Sequence, residues 1–175
     1  IVMEAGAKYL ASVTLELGGK SPLIIDGTIP MQEAVEKTIW GKLINFGQTC
    51  IAPDYILIKE EFQQEFVQVF SEHIEKTFGN DPSKSNDLAR IINHNNFKRL
   101  RNLIDDAIQK GANSPFGNEY LENELYIKPT LLTNLSDDAL INEEEIFGPI
   151  FTINEFKEKE EVMNVINMKE NHSDI

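Results

Sequence analysis

The chain has 175 residues, 41% of them apolar and 26% charged, enough for one folded domain with a real core and too mixed for a disordered, collagen-like or disulfide-scaffold protein. Its 16 Lys+Arg against 29 Asp+Glu leave a net charge of −13, which disfavours nucleic acid and anionic membrane surfaces as partners. No apolar run reaches the ~18–20 residues of a membrane span.

Residues 1–10 read as the end of a helix, with neither the basic nor the apolar region of a secretory signal. The expectation is a fragment whose start lies upstream. Val13–Leu17 reads as a short strand stopped by Gly18-Gly19. Pro22–Asp26 reads as a second strand, continuously apolar in the manner of buried parallel strands. Pro30 suits a first helical turn, and Met31, Ala34, Val35, Thr38, Ile39 and Leu43 follow at helical spacing. Asp54–Lys59 is a third strand. Phe62, Phe66, Val69, Phe70, Ile74 and Phe78 mark the longest helix, ended at residues 79–82. Another helix runs from about residue 93 to Gly111, with Phe97, Leu100, Leu103, Ile104, Ala107 and Ile108 on one face. Tyr126–Leu132 and Pro149–Phe156 read as later strands. Residues 157–169 read as a surface helix with Val162, Val165 and Ile166 on one side. Strands alternating with helices predict an α/β domain, a mostly parallel sheet flanked by helices.

Cys50 is the only cysteine, so no intrachain disulfide forms, in keeping with a reducing, cytoplasmic setting. It follows the polar turn Gly47-Gln48-Thr49, between a helix and a strand. Most lone cysteines are small buried hydrophobes, but loops at strand ends are where catalytic groups are held. Glu16 stands in an otherwise apolar strand before a Gly pair that lets a ligand or backbone approach closely. A buried carboxylate is expensive unless paired or protonated, and one so placed suits general-base work; the plainer alternative is a solvent-facing strand edge. Glu143-Glu144-Glu145-Ile146-Phe147-Gly148-Pro149 reads either as a solvated acidic turn or as an acid for ligand hydroxyls with a ring beside it. His73, His94 and His172 are scattered, and with one Cys they predict no metal site. Asn134 and Asn171 open Asn-x-Ser triplets read as chance, and neither a G-x-G-x-x-G nor a P-loop pattern occurs.

Together, Leu15-Glu16-Leu17-Gly18-Gly19-Lys20-Ser21-Pro22, Gly47-Gln48-Thr49-Cys50 and Glu144-Glu145-Ile146-Phe147-Gly148-Pro149 resemble the three signature motifs of the aldehyde dehydrogenase superfamily, in the family's order, with 34 residues from Glu16 to Cys50. Residues 47–55 look most like its class 3, fatty-aldehyde-type branch. The resemblance implies a truncated catalytic domain over residues 15–175, incomplete at its C-terminus, with residues 1–14 ending a cofactor-binding domain. It implies oxidation of an aldehyde to a carboxylic acid with NAD or NADP, by a homo-oligomer. Cys50 would be the nucleophile and Glu16 the base that activates the hydrolytic water. Glu145 and Phe147 would hold the nicotinamide ribose and ring, with Leu17 and Gly18 along the carboxamide. Phe46 departs from the small residue usual in relatives and is expected to reshape the aldehyde pocket. The chain alone is expected to be inactive and to expose parts of residues 23–25 and 151–153. The competing readings are a thiol acyltransferase or esterase using Cys50 and Glu16, and a non-catalytic interaction domain.

Overall fold

The computed structural model describes residues 1–170. Its sheet grows around two strands that are largely buried, β2 (Tyr55–Lys59) and β7 (Ile150–Phe156). β1 (Pro22–Ile25) lies parallel to β2, and β7 runs parallel to β2 on its other side. β6 (Thr130–Thr133) continues the parallel order, and β3 (Asn113–Phe116) closes the sheet as an antiparallel edge, giving β1-β2-β7-β6-β3. The expected mostly parallel sheet with flanking helices is what the chain forms.

Side chains along β2 alternate between two layers, as the pleat requires. Ile56 and Ile58 join the main core, while Tyr55 and Leu57 pack with Phe156 and Val162 on the opposite face. The main core is closed by α2 (Met31–Leu43), α3 (Gln63–Phe78) and α4 (His94–Gln109). Phe70 of α3 meets Phe151 of β7 edge-on, with ring centroids 4.8 Å apart. The second face is covered by α6 (Lys159–Glu170), through Val162, Val165 and Ile166. Two shorter helices, α1 (Val2–Ala7) and α5 (Leu140–Glu143), precede β1 and β7. Asn93 caps α4 by accepting the Asn96 N–H.

Several expectations are corrected. Val13–Leu17 is not a strand: among the described residues it pairs with nothing, and Leu15 and Leu17 are exposed. Alternating apolar residues supply propensity, but a strand also needs a neighbour for its amides and carbonyls. Tyr126–Leu132 is two strands, because Pro129 has no N–H for a continuous ladder. Tyr126–Ile127 (β5) pairs in a hairpin with Tyr120–Leu121 (β4), whereas β6 joins the main sheet. β3 was invisible in the pattern because it contains Pro115, which an edge strand tolerates. Phe151, Thr152 and Ile153 are buried, since β7 is internal and covered on both faces. Ile24, on edge strand β1, is half exposed as expected. Pro30 is the N-cap rather than part of the first turn of α2. Asn171 and His172 lie outside the described residues.

Candidate active site

β1, β2 and β7 are parallel neighbours, so the segments that lead into them arrive at one edge of the sheet. These are the segments carrying Glu16–Gly19, Cys50, and Glu145–Phe147. The site therefore lies at the amino ends of three strands, unlike the carboxyl-end crevices common in open α/β sheets.

The Cys50 segment begins where α2 ends. Asn45, Phe46 and Gly47 have φ of 49°, 60° and 77°, three left-handed residues in succession. Left-handed backbone at the two non-glycine positions costs ~1–2 kcal/mol each, so the surroundings must impose it. Phe46 is completely buried and stacks on Tyr126, with centroids 5.8 Å apart. Its ring thus anchors the turn in the core. Gly47 cannot carry a side chain, because a Cβ there would lie 2.2 Å from the Gly148 carbonyl oxygen. Gln48 ties the turn down: its amide donates to the Asn45 and Arg90 carbonyls at 3.2 and 3.0 Å, and its oxygen accepts the Ile92 N–H at 2.9 Å. Cys50 emerges from this frame as an exposed free thiol.

Glu145 is only partly accessible. Its carboxylate rests where a Gly18 side chain would be: a Cβ on Gly18 would come within 2.7 Å of Oε2. Burial, then the nearby Asp54 charge, pushes the Glu145 carboxyl above the usual range, although the Gly19 N–H donates to it. Phe147 holds a left-handed φ of 51° and leaves its ring 39% exposed. Of the two alternatives for Glu16 the structure takes the solvent-facing one: its side chain is exposed, and among the described residues no hydrogen bond or ion pair holds it. Leu17 and Gly18 are exposed beside it.

Sequence reasoning passed over the groups that lace these segments together. Asp54 accepts the Ile146 N–H at 2.7 Å and pairs with Lys20, and the Asp54 N–H donates to the Ser21 carbonyl at 2.8 Å. Arg99 of α4 donates to the Glu145 and Ile146 carbonyls at 3.0 and 2.6 Å. Lys42 is buried and donates to the Pro53 carbonyl at 2.6 Å; burial lowers its ammonium to about 8, against the attraction of Asp54. The signal was a charged residue inside an apolar helical stripe, Ile39 to Leu43. A cavity of about 1200 Å³ lined by Trp40, Ile44, His73 and Phe78 contains none of Glu16, Cys50 or Glu145, so volume is no guide to this site.

The arrangement can accept hydrogen bonds from the hydroxyls of a ligand. Glu145 is an acceptor-only group whose charge burial disfavours, so hydroxyl donors would stabilise it. The bare Gly18 backbone seats that carboxylate, and the exposed Phe147 ring lies two residues beyond Glu145. A model of the aldehyde dehydrogenase family matches residues 1–171. The chain belongs to the aldehyde dehydrogenase family. It is 45% identical over 170 residues to aldehyde dehydrogenase family 3 member A2 of Mus musculus, spanning 97% of this chain and 34% of that protein. It is 41% identical to the dimeric NADP-preferring aldehyde dehydrogenase of Rattus norvegicus, over 97% of this chain and 36% of that one. The solved substrate-bound state of Staphylococcus aureus AldH has a TM-score of 0.88 and 38% identity, covering 96% of this chain and 36% of its own. The chain thus spans about a third of the length of these aldehyde dehydrogenases. Among its described residues no helix is long and apolar enough to cross a membrane.

Proposed function

We propose that this segment carries the reacting residues of an enzyme that oxidises an aldehyde to a carboxylic acid with NAD or NADP. The observation that carries the reading is the meeting of three segments at one sheet edge, with an exposed thiol on one and a seated carboxylate on another. The name of the rat relative, NADP-preferring, supports a nicotinamide dinucleotide without choosing between the two forms. In this reading residues 1–14 belong with a dinucleotide-binding domain and residues 15–175 with the catalytic domain.

Cys50 Sγ, as thiolate, bonds to the aldehyde carbon, and the carbonyl electron pair moves onto oxygen. The Cys50 N–H steadies that oxyanion. The chemistry a bound dinucleotide supplies is acceptance of a hydride from the carbon that Cys50 holds, which leaves a thioester on the sulfur. Glu16 then takes a proton from a water as its oxygen attacks the thioester carbon; the carbon–sulfur bond breaks, the acid leaves and the thiolate is restored. Exposure leaves Glu16 room for that water. Glu145 would accept the ribose hydroxyls of such a dinucleotide, Phe147 would pack beside its nicotinamide, and the Leu17 and Gly18 backbone would meet its carboxamide. Neither side chain moves a proton at the reacting carbon.

The test is aldehyde-dependent appearance of reduced nicotinamide, measured with the full-length protein that carries this segment and with residues 1–175 alone. The full-length protein should be active. The segment should bind NAD and NADP too weakly for titration calorimetry, since Glu145 and Phe147 touch one end of the dinucleotide and offer little to offset the entropy of binding. Ester hydrolysis without any cofactor reduction would replace this reading with a cofactor-free thiol esterase. The dimeric relative supports a homo-oligomer.

A further inference from the structure

Lys20 lies two residues beyond Gly18, and all three segments are tied at its ammonium. The side chain is only 9% exposed and pairs with Asp54, itself 4% exposed and four residues after Cys50. The same nitrogen donates to the Glu144 carbonyl at 2.6 Å and to the Ile141 carbonyl at 3.1 Å. An ammonium has three N–H donors, and here each has its acceptor. Asp54 uses both oxygens as well, one for Lys20 and one for the Ile146 N–H. The peptide groups on either side of Glu145 are therefore held by a single ion pair, which also joins the strand entered by Cys50 to the segment before β1.

A buried ion pair adds little net stability over well-packed apolar residues of the same volume. What it supplies at this position is direction: three charge-assisted contacts that fix the backbone from residue 141 to residue 146. Both groups point their polar atoms at protein partners, which suits them to holding the backbone.

We propose that the Lys20–Asp54 pair is a positioning device, which sets the Glu145 carboxylate relative to Cys50 and thereby determines how tightly and in what pose the dinucleotide is held. The inference rests on Glu145 being the carboxylate that meets the dinucleotide. A displacement of ~1 Å at such a group can cost ~100-fold, so looseness in its backbone is felt in binding and in turnover.

The experiment is titration calorimetry of NAD and NADP into the full-length protein, with Lys20→Met/Asp54→Asn as the main variant. It removes both charges at nearly constant volume, so neither is stranded. Its dinucleotide Kd should rise about tenfold or more while its thermal midpoint stays within a few degrees of the parent's. The same pair of changes placed on Glu145→Gln should add less than about twofold, because two groups acting through one contact are not additive. An unchanged Kd in the folded variant, or effects that multiply with those of Glu145→Gln, would overturn the inference. If the double variant does not fold, Lys20→Arg decides the matter. It keeps the charge, but a planar guanidinium cannot offer three donors from one nitrogen, so its Kd should rise about threefold or more; no rise overturns the inference. A parent that binds dinucleotide but oxidises no aldehyde sinks only the chemistry of the proposed function. A parent that binds no dinucleotide sinks that function and this inference together.

Discussion

The carboxylate of Glu145 occupies the space that a side chain at position 18 would fill, 2.7 Å from a Cβ built on Gly18. Gly18 is exposed and its φ is not among the positive ones, so Ala is acceptable to its backbone. Gly18→Ala should fold normally but push the carboxylate aside. Dinucleotide affinity should fall about tenfold or more, given the ~100-fold that 1 Å can cost. Calorimetry alongside a thermal melt checks this, and unchanged affinity would mean that Glu145 does not need that seat.

Cys50→Ala in the full-length protein should abolish both aldehyde oxidation and hydrolysis of a test ester. Removing a nucleophile leaves only the small residual rate that binding provides. Because Cys50 is the one thiol and is exposed, iodoacetamide should label a single site in residues 1–175, in step with loss of activity. Turnover above a trace in Cys50→Ala would remove Cys50 from the mechanism.

Glu16→Gln separates the two halves of the reaction. It should still release a burst of reduced cofactor, at most one per site, followed by slow turnover with acylated Cys50 visible by intact mass. If the burst disappears too, Glu16 also serves the thiol, and the division of labour proposed above is wrong.

Lys42 makes stability depend on pH in an unusual direction. Burial lowers its ammonium from 10.5 to about 8, so between those values the unfolded chain binds the proton more readily than the folded one. Stability from this group is present in full above 10.5 and is lost as pH falls towards 8. A shift of that size corresponds to ~3 kcal/mol. Relative to Lys42→Met, the parent should therefore gain stability by up to that amount between pH 8 and 10.5. Urea melts across this window decide it; parallel pH profiles would show that Lys42 keeps its charge at no cost.

Phe46→Ala should cost ~3–5 kcal/mol, as large-to-small changes at fully buried aromatics do. It removes the stack on Tyr126 that holds a left-handed turn in place. A loss below ~1 kcal/mol in denaturant melts would show that the turn does not depend on its ring.

The strands and helices that build the core were readable because their apolar residues repeat at two or at three and four. Ile56 and Ile58 alternate with Tyr55 and Leu57, and Phe66, Phe70 and Ile74 step along α3. Val13–Leu17 has the same local pattern but no pairing strand among the described residues, and local pattern cannot report a missing partner. That pattern left Glu16 open to two readings, a buried base and a solvent-facing side chain, and its exposure supports the second, on a segment that forms no strand. The three motif segments were legible as motifs, yet what joins them was not. Lys20 and Asp54 are 34 residues apart, and Arg99 reaches Ile146 across 47. Contacts at such separations leave no period in the chain. The burial of Thr152 depends on β7 being internal, a property of strand order and not of its own residues.

Glu144 and Glu145 are identical neighbours held by different parts of themselves. Lys20 meets position 144 through its carbonyl oxygen, and the Glu144 N–H donates to the Leu140 carbonyl at 3.0 Å. Among the described residues its carboxylate has only Arg99 at 3.6 Å, on an exposed side chain, a contact of small energetic weight. Any residue with a main-chain N–H and C=O can make the first two bonds, so position 144 is open to nearly every amino acid but proline. Position 145 is engaged by its side chain and has no such latitude. Saturation mutagenesis over these two codons would thus give one permissive column and one restrictive one, although the wild-type letter is the same in both.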